Sequence, residues 1–125
     1  MTSSPSGNAS PFTGAIDRRK RRHSRYRIDL AVTVVVLGED NYTRLNSHAK
    51  DLSESGIGLI LAADLSAGEV VSLEFSLPKV PEPLAMRAVV RYHSGCHYGL
   101  EFLTPSREQM AMLKAYCRES GVEAD

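Results

Sequence analysis

The 125-residue sequence has no run of about eighteen apolar residues, so no segment of it reads as a membrane-spanning helix. Its first fourteen residues are polar, with Ser, Pro, Gly and Asn where an export signal carries an apolar stretch, which argues against secretion. Cysteine is scarce. Cys96 and Cys117 are the two thiols, and a chain of this size builds a core without a disulfide, so both are expected reduced in the cytoplasm. No Gly-rich phosphate loop is present, and none of the four histidines stands in a sequence relation to a Ser or Cys that suggests a triad. His93-x-x-Cys96-His97 has zinc-ligand residue types but crowds around one turn without a second cluster at finger-like spacing. These absences point away from catalysis, metal and cofactor, and towards a binding module.

What is present begins with charge. The net charge is zero, from fifteen Lys and Arg against fifteen Asp and Glu, yet residues 18–27 (RRKRRHSRYR) hold seven of the basic residues. The rest of the chain therefore carries a net of −7. A short basic arm on an acidic body attracts anions locally while the body repels a long polyanion such as nucleic acid. The composition, 42% apolar and 24% charged, is that of one globular domain.

Residues 1–16 have the composition of a flexible tail, since Ser, Gly, Asn and Pro bury too little apolar surface to offset the entropy of ordering. After the basic arm, residues 29–37 (DLAVTVVVL) read as a β-branched strand, and 38–41 (GEDN) as a turn. Residues 42–51 and 57–61 read as two further strands around a Ser/Gly corner. In residues 69–77, Val71, Leu73, Phe75 and Leu77 recur every second position, the pattern of a strand with one buried face. Residues 84–92 and 97–103 flank Ser94-Gly95 as a hairpin, with Tyr98, Leu100 and Phe102 on one face. Thr104 and Pro105 suggest an N-cap and first helical residue, followed by Met110, Leu113 and Cys117 at helical spacing. Six antiparallel strands and a closing helix predict an all-β barrel or sandwich over residues 17–118, with 119–125 a short tail.

Two segments have residue types suited to an anionic nucleotide. Arg21-x-x-x-Arg25 lies before the first expected strand, and guanidinium groups pair with phosphate, read the O6/N7 edge of guanine and stack on bases. Asp51-Leu52-Ser53-Glu54-Ser55-Gly56 lies at the corner between the second and third strands. Asp accepts hydrogen bonds from guanine N1 and N2, Ser offers a small hydroxyl, and Gly permits a positive φ or a close approach.

In this order, and about 25 residues apart, the two segments resemble the paired RxxxR and DxSxxG signature of the PilZ domain family, matched without substitution. Residues 22–30 (RHSRYRIDL) also resemble the family's entry to its first strand, and Tyr98-Gly99-Leu100-Glu101-Phe102 its final strand. The resemblance implies a six-stranded antiparallel β-barrel with a C-terminal helix and a flexible N-terminal arm. It implies a bacterial receptor for cyclic di-GMP, with no catalytic residue, no metal and no cofactor beyond that ligand. Arg21 and Arg25 would hold guanine edges and phosphates; Asp51, Ser53 and Gly56 would form the barrel side of the cradle; Lys20 and Arg22 would be auxiliary contacts. Either one ligand molecule or a stacked pair is compatible with Lys20, which stands where relatives often carry arginine. The arm would order on binding and a protein effector would read that change. Two other readings stay open: a nucleic-acid-binding barrel using the basic arm, and a PilZ-like protein-interaction domain that binds no ligand.

Overall fold

The computed structural model describes residues 25–120 and the backbone of residues 122–124. In chain order its elements are β1 (Arg25–Leu37), β2 (Tyr42–Leu52), β3 (Gly56–Ile60), β4 (Val70–Phe75), β5 (Leu84–Ser94), β6 (His97–Phe102), helix α1 (Arg107–Ser120) and β7 (Val122–Ala124). Every pairing is antiparallel. The strands follow the order β2-β3-β6-β5-β4-β1, and β1 pairs back onto β2, so six strands close a barrel. Closure removes the exposed edges that an open sheet of this length would present.

The inward faces follow from the period-two patterns. Val71, Leu73 and Phe75 of β4 and Tyr98, Leu100 and Phe102 of β6 are all buried, joined by Val34, Ala49, Leu52, Ile57, Leu59, Ala88 and Val90. Leu77, just past the end of β4, remains in the same core. The phenol of Tyr98 is buried with its polar tip satisfied: it donates to the Ala63 carbonyl and accepts from the Leu65 N–H at 3.1 Å, which ties the loop before β4 to the barrel. Gly95, with φ of 60°, turns the β5–β6 hairpin where a side chain would be strained.

Helix α1 starts later than Thr104 and Pro105 suggest. Thr104 has φ of 42° and is no cap; Ser106 takes that place. The Ser106 hydroxyl accepts from the Gln109 N–H, and the Gln109 side-chain oxygen accepts from the Ser106 N–H, both at 3.0 Å. This reciprocal pair satisfies two of the otherwise unpaired groups at the helix start. From there Leu113 and Cys117 are buried against the barrel. Fully burying a leucine side chain is worth about 1.5–3 kcal/mol, enough to dock a helix whose other face is polar. No described helix is long and apolar enough to cross a membrane.

Two ends differ from expectation. β1 begins at Arg25 rather than Asp29, because Tyr26, Ile28 and Leu30 pack on the core at a spacing of two. Residues expected in a short tail are ordered as well: Glu119 and Ser120 finish α1, and β7 pairs with Arg25, Tyr26 and Arg27. The tail expected over residues 1–16 lies outside the described residues.

Candidate ligand-binding site

Three irregularities in the sheet shape one patch of the outer wall. Between β1 and β2 the register shifts at Arg27/Leu30, and between β2 and β3 it shifts at Ala49/Asp51. Ala49 and Leu52 both point inward, so Lys50 and Asp51 are both left on the outside. Strict alternation from Ala49 would have aimed Asp51 into the core; the bulge re-aims it outward. β5 does the same at Val90/Tyr92: Val90 is buried, and the extra residue Arg91 leaves Tyr92 outside.

The ladder then lines up one row across the wall. Arg27 of β1 pairs with Asp51 of β2, Asp51 with Gly58 of β3, Gly58 with Gly99 of β6, and Gly99 with Tyr92 of β5. A Cβ at Gly58 would stand 2.8 Å from the Asp51 carboxyl carbon, and one at Gly99 would stand 2.7 Å from the Tyr92 phenol oxygen. The two glycines therefore form a floor, with a carboxylate leaning in from one side and an aromatic ring from the other.

Arg25 closes the row at its Asp51 end. Its Nη1 donates to Asp51 Oδ1 at 2.8 Å, and both side chains remain about one-third exposed, at 37% and 34%. The pair joins two segments that are 26 residues apart in sequence. Arg27 is exposed and stands directly opposite Asp51 in the ladder.

Below Asp51 the corner is a tight, internally bonded turn. The Ser53 N–H donates to the Gly56 carbonyl at 2.9 Å, and the Ser53 hydroxyl accepts from the Ser55 and Gly56 N–H groups at 3.2 Å. Ser53 is 4% exposed, so its hydroxyl holds the corner in shape. Gly56 is required by its neighbour strand: a Cβ there would collide with the Leu100 carbonyl oxygen. Helix α1 supports the same corner from behind, through Lys114 to Glu54 at 3.6 Å and the Cys117 thiol against the Leu52 carbonyl at 3.9 Å. Burial pushes that thiol up to about 11.

A family model for the PilZ domain matches residues 19–119. The chain belongs to the PilZ domain family. Among solved structures, this PilZ domain is similar to the PilZ domain of YcgR from Escherichia coli determined with c-di-GMP, at 19% identity and a TM-score of 0.66, over 81% of this chain and 91% of that one. It is also similar to the PilZ domain of CeSA from a cellulose-synthesizing bacterium, at 17% identity and a TM-score of 0.59, over 75% and 94% of the two chains. A third neighbour is the Bacillus subtilis inhibitor of motility MotI/DgrA, at 23% identity and a TM-score of 0.59; the match covers 78% of this PilZ domain and 49% of the inhibitor. At these identities the likeness is one of fold. A search of curated proteins finds no match.

Of the residues singled out in the sequence, Arg25, Asp51, Ser53 and Gly56 are thus brought to one corner of the barrel. Lys20, Arg21 and Arg22 lie outside the described residues. Arg25 belongs to β1 instead of a segment before it. Arg27, Gly58, Gly99 and Tyr92 complete the row and carry no signal at the level of the two motifs. Of the two histidines in the β5–β6 hairpin, His93 stacks its ring on Tyr98, with centroids 4.9 Å apart.

Proposed function

We propose that this PilZ domain is a receptor for cyclic di-GMP that signals to a protein partner. The observation that carries the reading is the Arg25–Asp51 pairing at 2.8 Å, which places the second arginine of one motif on the aspartate of the other, on an open face of the barrel. Each group has complementary chemistry for guanine and phosphate. Asp51 accepts from guanine N1–H and N2–H, while Arg25, with Arg21 four residues earlier, donates to phosphate oxygens or to guanine O6 and N7. Ser53 and Gly56 keep the cradle in shape, and Lys20 and Arg22 add positive charge around it. The YcgR neighbour, which shares the fold, was determined with c-di-GMP.

The energetics favour exchange. A partly exposed ion pair is worth about 0–1 kcal/mol, so sharing Arg25 and Asp51 with a ligand gives up little. Charge-assisted bonds to phosphate are stronger than neutral ones, and the ligand brings several at once. Ligand binding changes the conformation of the arginine arm, and a protein partner reads that change.

Calorimetric titration with cyclic di-GMP at moderate salt tests the reading, with GTP, cyclic di-AMP and a random oligonucleotide as comparisons and Arg25→Ala as the variant. Saturable binding of cyclic di-GMP alone, lost in the variant, is the expected result. No heat and no competition up to about 1 mM, where binding is worth about 4 kcal/mol, would overturn it. Oligonucleotide binding that weakens steeply with salt would replace it with a nucleic-acid reading.

A further inference from the structure

Four large apolar side chains stand exposed among the described residues: Leu37 at 68%, Tyr42 at 69%, Val70 at 41% and Tyr92. Tyr92 lies on the candidate site; the other three share a different row. Leu37 pairs directly with Tyr42 across β1 and β2. Val35 pairs with Ser72 across β1 and β4, so two residues further along the same register Val70 comes beside Leu37. Directly paired residues share a face, and Tyr42, Leu37 and Val70 therefore form an apolar row on the outer wall at one rim of the barrel. The turn that joins β1 to β2 adds charge of one sign. Its Gly38 N–H donates to the Asn41 carbonyl at 2.7 Å, and between them Glu39 and Asp40 are both exposed. Neither carboxylate forms an ion pair among the described residues, and Arg44, the cation on the same hairpin closest to them in sequence, is bonded to Glu74 at 2.6 Å.

Contiguous exposed apolar side chains rimmed by polar groups mark interaction surfaces. Resting on the partner half of the proposed function, we infer that the row of Tyr42, Leu37 and Val70, with the Glu39-Asp40 turn, is the docking surface for the protein partner. The segment it takes is amphipathic, with apolar anchors and Lys or Arg beside them. Charge decides between occupants. A second copy packed row against row would bring two acidic turns onto one small contact, and an anionic membrane would be repelled for the same reason. A basic segment is attracted, and it has no cation to displace from Glu39 or Asp40. Position supports the same assignment. Tyr42 opens β2 and Asp51 lies one residue from its end, about 30 Å away at a strand's rise per residue. Leu37 likewise stands at the opposite end of β1 from Arg25. One hairpin therefore presents the ligand site at one end and the row at the other, and the domain holds ligand and partner at the same time.

The test titrates the full chain with a synthetic helix that has leucine on one face and lysine on the other, and with the same helix carrying glutamate for lysine or serine for leucine. Binding of the lysine and leucine helix alone is expected. Leu37→Ser combined with Tyr42→Ser is expected to weaken it at least about tenfold, and Glu39→Gln combined with Asp40→Asn about threefold to tenfold, with a shallower dependence on salt. All four side chains are exposed, so both variants should melt like the unmodified protein and bind cyclic di-GMP within about threefold of it. The chain contains no Trp, so Tyr42→Trp installs a single indole whose emission should shift to the blue as the helix binds. Equal affinity of the helix for the Leu37→Ser, Tyr42→Ser variant, equal binding of the glutamate helix, or no binding up to about 1 mM overturns the inference. A dimer that the same variant dissociates in the ultracentrifuge, or phosphatidylcholine vesicles that capture the unmodified protein and not that variant, also overturns it, by naming another occupant. If the unmodified protein binds no cyclic di-GMP while the helix results hold, the receptor reading fails and the docking surface stands.

Discussion

The β4–β5 ladder runs through six consecutive pairs, from Val70 opposite Val89 to Phe75 opposite Leu84, without a slip. The ladders that surround Asp51 and Tyr92 slip three times, once each between β1 and β2, β2 and β3, and β5 and β6. β4 alternates between exposed or half-buried and buried positions at every step, and it contributes Leu73 and Phe75 to the core. On the slipped side the alternation is broken at Asp51 and Tyr92, the residues turned outward onto the candidate site. The difference separates two tasks: regular pairing stabilises the barrel, and irregular pairing aims side chains out of it.

The largest effect should come from the regular side. Leu73 is fully buried, and Leu73→Ala is expected to cost about 2–5 kcal/mol in urea unfolding, with cyclic di-GMP affinity of the folded protein unchanged. On the slipped side, Gly56→Ala puts a methyl group into the Leu100 carbonyl and forces β3 and β6 apart. A loss of about 1–3 kcal/mol is expected, with faster amide exchange at Ser55 and Gly56 as the turn loosens. Should Gly56→Ala melt like the unmodified protein, the close approach of the two strands would be wrong.

Asp51→Ala sharpens the contrast, because it should barely register in stability and dominate in binding. Removal of one half of a one-third-exposed ion pair is expected to change unfolding by less than about 1 kcal/mol. The same substitution should abolish cyclic di-GMP binding in the calorimeter. A stability loss of several kcal/mol would show instead that Asp51 holds the barrel together.

At neutral pH the effect is silent at the seam where α1 meets the site corner, and it emerges only in alkali. Burial holds the Cys117 thiol neutral up to about 11, whereas the unfolded thiol ionises near its ordinary value of 9.0. The folded state therefore binds a proton that the unfolded state releases across this window. The associated stability is intact below pH 9 and declines between about pH 9 and 11. Cys117→Ala should flatten that decline, and a thiol reagent at neutral pH should label the exposed Cys96 and leave Cys117 until the protein unfolds.

The same contrast decides how much was legible in the sequence. β4, β6 and the buried face of α1 follow from residues that repeat every second or every third to fourth position, and such patterns survive without knowledge of a partner strand. A bulge has no such signature, because an extra residue is defined only against the strand opposite. The outward turn of Asp51 and Tyr92 was therefore invisible, and so was the use of Gly58 and Gly99 as a floor. Thr104-Pro105 offers the same capping chemistry two residues before Ser106, and the Gln109 partner three residues after Ser106 is the discriminating signal. The start of β1 did have a signal, in Tyr26, Ile28 and Leu30, which the density of charge around them obscured. Val122–Ala124 is too short to carry any pattern, and pairing alone makes it a strand.

That last strand gives the molecule a mechanical property. Tyr26 and Arg27 are laddered to Leu52 and Asp51 on one side and to Glu123 and Val122 on the other, while Arg25 is laddered to Ala124. The opening residues of β1 and the closing residues of the chain's last strand are thus fastened together at one point, beside the arginine that meets Asp51. Tension applied from either direction loads the same few backbone bonds. A tether pulling on the domain would be felt first at the edge of the candidate ligand site, before the barrel wall bears any of it.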